Sequence, residues 1–192
     1  MRRLHALAVF LCLAILGGCS FQSDMLLPDR SAAGDPIAGL PTDRAFTLES
    51  FDRQNKAFHV IGTMTPQSTG SGKMRYLFAL NEDADRLFVQ AQKLSDGNYL
   101  LRYVETDSKG EANGSSALVF LSVADGLFYA LTGPGDQKLF DKVYGTGPRP
   151  DVNDGEVKFT SDAQARQLSE FFATHRVEFL IDQDYIRLRL AK

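Results

Sequence analysis

From Phe46 onward the chain is written in short stretches where every second side chain is apolar, and that two-residue period commits it to β-sheet. Residues 98–105 show the pattern best: Tyr99, Leu101 and Tyr103 face opposite Leu100, Arg102 and Val104. Residues 86–92 set Leu87, Val89 and Ala91 against Phe88, Gln90 and Gln92. Residues 56–63, 117–123 and 127–132 are further strands, and Met74–Leu80, short and apolar, is expected to be buried on both faces. Ser95-Asp96-Gly97 and Ala124-Asp125-Gly126 are turn sequences, since glycine supplies positive φ. Residues 106–116 form a polar loop. Strands recurring about every 8–12 residues describe an antiparallel meander.

One helix stands out. Ser161 suits an N-cap, and Gln164 lies three residues on, as in a capping box. Ala165, Leu168, Phe171 and Phe172 make a single apolar stripe, and the helix should end near His175. Val177, Phe179 and Ile181 then alternate as a strand would, and Asp182-Gln183-Asp184 turns the chain into a last strand over residues 185–190. Residues 138–144, between two Gly/Pro-rich stretches, carry no assignment. The fold class expected is α+β: an antiparallel, curled sheet of about six to eight strands with one C-terminal helix packed on it.

The N-terminus has a different grammar. Arg2 and Arg3 precede an apolar stretch, residues 4–16, broken only by His5. That is the layout of a secretory signal. It is too short for a spanning helix, which needs about 20 apolar residues. It ends in Leu16-Gly17-Gly18-Cys19, which resembles the bacterial lipobox. The resemblance implies cleavage between Gly18 and Cys19. It also implies a diacylglyceryl thioether on the Cys19 sulfur and, usually, a third acyl chain on the new amino group. The partner so implied is a membrane, held through the lipid on Cys19. In enteric bacteria the residue after the cysteine directs sorting, and Asp there retains the protein at the inner membrane. Here it is Ser20, which implies the outer membrane, with the domain on the periplasmic face.

The division expected is residues 1–18 as signal peptide, 19–44 as lipidated cysteine and flexible tether, and 45–192 as a single globular domain. The tether reading rests on Pro28, Pro36, Pro41, Gly34 and Gly39. As coil the segment would span roughly 28 Å, and stretched roughly 85 Å. Cys12 leaves with the signal peptide, so the mature chain has Cys19 alone and no internal disulfide.

Of the 21 Lys and Arg, two lie in residues 1–18 with no Asp or Glu beside them; 19 remain against 24 acids, a net charge of −5. This argues against a nucleic-acid partner, which calls for a basic patch. The mature histidines, His59 and His175, have no nucleophile-elbow context near them, so no catalytic residue is assigned. Acidic turns at 81–85 and 151–156 have the Asn/Asp/Gly content of ordinary turns, and the second departs from a calcium loop in its glycine position. Gly70-Ser71-Gly72-Lys73 fails the phosphate-loop pattern at both ends. No metal and no cofactor is expected. Arg102, Arg187 and Arg189 are expected on a solvated sheet face.

Three functional readings remain. The first is a non-enzymatic envelope lipoprotein presenting an interaction surface to another envelope protein. The alternative is a binding module for a small apolar or amphiphilic ligand, and the third is a hydrolase. An internal apolar cavity would favour the second; a filled core with an exposed apolar patch would favour the first.

Overall fold

The structure is a computed structural model describing residues 21–22, 33–70, 72–80, 86–106, 112–133, 137–153, 156–179 and 185–192. Residues 1–18, expected to be a signal peptide, Cys19, and the turns expected at 81–85 and 182–184 lie outside the described residues.

The alternating strands do not form an open curled sheet. They close into a barrel of eight antiparallel strands: β2 (Phe46–Asp52), β3 (Ala57–Ser68), β4 (Met74–Leu80), β5 (Arg86–Ser95), β6 (Asn98–Thr106), β7 (Ala112–Ala124), β8 (Leu127–Leu131) and β11 (Tyr185–Leu190). Closure rests on β11, which pairs with β8 on one side, Leu188 opposite Phe128, and with β2 on the other, Leu188 opposite Ser50. Register shifts at Leu48/Glu49, Lys93/Ser95 and Val104/Thr106 add the local bend that a small barrel requires. The β7–β8 turn is built on Asp125 and Gly126, both at positive φ (53° and 73°), the geometry that matches strand twist. Strand β4 is buried on one face only: Met74, Tyr76 and Phe78 point inward, while Arg75, Leu77 and Ala79 are half-buried outside. Strand β7 begins at Ala112, inside the stretch expected to be a loop.

Between β8 and β11 the chain leaves the barrel to build an outer layer of three helices rather than one: α1 (Gln137–Tyr144), α2 (Asp162–Thr174) and α3 (Arg176–Phe179). Helix α1 falls in the unassigned stretch. Helix α3 occupies the start of the expected strand at Val177, because the chain turns again directly after the α2 cap. Two short strands, β9 (Asp151–Asn153) and β10 (Glu156–Lys158), pair with each other, and β1 (Phe21–Gln22) joins β10 to β7. The α2 start follows the sequence reading: the Ser161 hydroxyl accepts from the Gln164 N–H at 3.4 Å. Gln164 Oε1 reaches back one residue further than a capping box requires, to the Thr160 N–H at 2.9 Å. His175 is the C-cap.

Strands β5 to β7 therefore have two buried faces. One lines the barrel. The other meets α2, α1 and β1 in a second core that includes Leu100, Phe120, Phe140, Phe159, Leu168 and Phe172. Phe21, Phe120 and Phe159 form an aromatic triad with centroids 5.0–5.7 Å apart. Arg102 lies on this covered face at 8% exposure, a correction to the solvated position expected for it. Arg187 and Arg189 lie on the uncovered wall, with guanidiniums 3.6 Å and 3.9 Å from the Phe51 and Phe58 centroids, and Arg189 Nε donates to Glu49 at 2.6 Å. Charge outside and carbon inside is the reverse of a barrel whose wall faces lipid.

Two described parts of residues 20–44 pack on the barrel and its outer layer. Phe21 is fully buried, and residues 34–40 are built into the barrel. Because Phe21 is two residues from Cys19, a lipid there would hold this layer within about 7 Å of the anchor along the chain.

Phe172 is 1% exposed beneath α2. Phe172→Ala should lower the unfolding free energy by about 3–5 kcal/mol in a denaturant titration. A loss under about 1 kcal/mol would show that the ring is not enclosed.

Candidate functional site

Eight strands make a barrel only just wide enough for its own side chains or for one small ligand. Here the inward side chains leave a cavity. Its volume is about 80 Å³, several times the roughly 10–15 Å³ that one water needs. Leu48, Met64, Phe78, Val89, Leu101 and Phe128 supply much of its wall, and among the described residues no charged side chain lines it. A carbon-lined space of this kind suits an apolar guest better than water, which needs two to four polar partners.

One end is closed by residues 33–40, here called the strap. The β4–β5 ladder runs from Ala79–Arg86 to Tyr76–Val89 and goes no further. Gly34 takes the next rung. It exchanges hydrogen bonds with Met74, both 2.8 Å, while the Asp35 N–H donates to the Ala91 carbonyl at 2.6 Å. The strap is thus wedged between the ends of two wall strands. Only glycine fits, since a Cβ at Gly34 would run into the Ala91 backbone. The Asp35 carboxylate fastens the wedge by accepting from Lys73 Nζ at 2.6 Å and the Lys93 N–H at 2.8 Å. Partial burial raises its pKa, but Lys73 and the Lys93 amide together outweigh that and leave it lowered.

Past the wedge the strap turns inward. Its backbone is satisfied by two tyrosines of the barrel interior: the Ile37 N–H donates to the Tyr76 hydroxyl and the Ala38 N–H to the Tyr99 hydroxyl, both at 3.0 Å. Ile37 is 3% exposed and, with Leu40, lines the cavity floor. Burial raises the Tyr76 phenol, and the Ile37 amide offsets part of that rise.

The far end of the cavity has hydroxyls on Tyr103 and Thr132. Tyr103 shows some surface to the cavity yet lies deep enough that burial alone pushes its phenol up to about 12. Among the described residues its hydroxyl has no hydrogen-bond partner. The segments at 81–85, 107–111 and 181–184, which join the strands at this end, lie outside the described residues.

The residues singled out for chemistry in the sequence sit elsewhere. His59 is on the outer wall, 3.7 Å from Asp52, with 56% of its side chain exposed. His175 stacks on Phe171 at 3.9 Å and is within 2.8 Å of the Thr174 hydroxyl, at a helix end rather than in a cleft. Gly70 and Gly72 form the β3–β4 connection, and Lys73 holds Asp35 rather than a phosphate. The 151–156 turn is in part outside the described residues, and no group of three metal-ligating side chains occurs among the described ones. No described arginine lines the cavity, and Gly18 and Cys19 lie outside the described residues. Sequence reading passed over Tyr76, Ile37 and Leu40. Their signal was present, as two apolar residues three apart inside a Pro/Gly-rich stretch, but it reads equally well as linker.

No protein family, curated protein or solved structure matches this chain.

Three phenols, on Tyr76, Tyr103 and Tyr144, are raised by burial. Below pH 10 folded and unfolded chains both keep them protonated, so stability is flat on their account. Above it the unfolded chain releases protons that the folded one retains, and stability falls as pH rises towards 12. Phenolate absorbance should show a class of tyrosines ionising together with unfolding, and the melting temperature at pH 11 should lie below that at pH 9. Simple titration of every tyrosine near pH 10 in the folded protein would contradict the assignment.

Proposed function

We propose that the mature protein is a lipid-anchored envelope barrel that takes a small apolar or amphiphilic molecule into its interior. The carbon-lined cavity inside the barrel, floored by the strap, carries this reading. It displaces the interaction-surface reading from first place. Among the described residues the large apolar side chains left exposed are Val60 and Val152, on separate elements, which do not make a patch. The membrane location rests on Leu16-Gly17-Gly18-Cys19 and the outer-membrane destination on Ser20. A barrel fixed beside lipid is placed to exchange an amphiphile with it.

The test uses the mature chain from Ser20, which includes every described residue, exported behind a non-lipoprotein signal. The apolar dye N-phenyl-1-naphthylamine should bind saturably, one per chain. Ala130 faces the cavity, and Ala130→Trp should fill it and reduce dye binding at least tenfold while the melting temperature stays within a few degrees. Unsaturable binding, or binding unaffected by the bulky residue, would remove the cavity as the site.

The anchor is tested separately. Cys19→Ala should abolish fatty-acid labelling in cells and leave the precursor uncut. Normal processing of that variant would defeat the lipoprotein assignment.

A further inference from the structure

The cavity has one end stopped by the strap and another that reaches the barrel rim. At the strap end Ile37 and Leu40 lie across it, and the Phe128 ring sits beneath Gly39, where a Cβ would come within 3.6 Å of it. At the opposite end the lining runs out to the strand termini. Leu87 is the second residue of β5, Ile186 the second of β11, and Thr132 directly follows β8. Phe128 and Thr132 are four residues apart along the β8 strand line, about 13 Å. A space of about 80 Å³ drawn out over that length is a slot, and inside eight strands a slot takes an extended chain more readily than a broad polycyclic body.

The floor of the slot is firm. The N–H groups of Ile37 and Ala38 donate to the phenols of Tyr76 and Tyr99, and the Leu40 N–H donates to the Ile37 carbonyl at 3.2 Å. Upstream, Gly34 is paired with Met74, and Asp35 is held by Ala91, Lys73 and Lys93. A guest pressing on Ile37 and Leu40 would have to part several of these bonds together and leave buried backbone donors unpaired. That costs more than one further buried CH₂ returns. A chain that meets the floor therefore stops there.

Building on the proposed function, we infer that the guest is an extended aliphatic chain, inserted from the rim where β5 and β11 begin, with its end against Ile37 and Leu40. The strap then sets the longest chain the barrel accepts, whatever group the chain carries at its other end. Ile37 and Leu40 are its specificity-determining residues.

The experiment is displacement of N-phenyl-1-naphthylamine from the mature chain by the straight-chain 1-alkanols from hexanol to tetradecanol, each below the concentration at which it self-associates. Affinity should rise about fourfold with each added CH₂ and then break sharply at one length, beyond which it gains nothing. Leu40→Ala removes three carbons from the floor and should move the break to longer chains by about one to three carbons. Leu40→Phe should move it to shorter chains. Leu87→Ala, at the rim, should leave it in place. Should Leu40→Ala fail to fold, Leu40→Phe carries the test alone. Affinity that rises through tetradecanol without a break, a break that stays put in the folded Leu40 variants, or one that moves as far with Leu87→Ala would each overturn the inference. If the dye itself fails to bind the wild type, it is the cavity reading that falls, and the two failures are thereby distinct.

Discussion

Everything in this molecule depends on β11 lying between β8 and β2. Until that strand docks, the seven preceding strands form a sheet with two free edges and no inside. Its partners are far away in sequence: Leu190 pairs with Leu48, and Ile186 with Ala130. Contacts of such separation are slow to form, because the chain must surrender loop entropy before they return anything. The outer layer shortens that search. Residues between β8 and β11 fold back over β5 to β7 as α1, α2 and α3, and this carries the start of β11 round the barrel to its place. The helices thus have a second use beyond covering Phe120 and Leu100.

The two cores divide the work. The outer one is dense and aromatic, with Phe21, Phe120 and Phe159 in edge contact. The inner one leaves room. A protein with both faces of β5 to β7 buried can tolerate a void on one of them, since the outer core keeps the strands in register whether the barrel is full or empty. The tyrosines follow the same division. Tyr144 braces the outer layer by donating to the Gln164 carbonyl at 3.0 Å, while Tyr76 and Tyr99 hold the strap from inside.

How much of this could be read in the sequence follows from the range of each interaction. Local grammar was legible: the Ser161 cap, the turns at Gly97 and Gly126, and the alternation of Tyr99, Leu101 and Tyr103. These depend on neighbours a few residues apart. Closure was not legible, because period-two alternation is the same in an open sheet and in a barrel. Residues 138–144 are too short and too closely flanked by glycine and proline to announce α1. Val177 and Phe179 alternate like a strand, yet the chain there is α3. Arg102 looks like a surface residue until the helical layer is laid over it. The strap was the deepest omission. Its Gly34 is needed for a close approach to Ala91, but a glycine among prolines carries the same letters as a hinge.

The burial of Phe21 has a mechanical consequence. Strand β1 is two residues long, runs parallel to β10 and antiparallel to β7, and begins two residues after Cys19. Tension between membrane and domain would enter the fold at this point, not through a slack leash. A load along β1 shears its few rungs together instead of peeling them singly, and the Phe21 ring, seated against Phe120 and Phe159, acts as a stop. Were it to slip, the next described point along the chain is the wedge at Gly34, so an anchor at Cys19 and the cavity floor would share one line of strain.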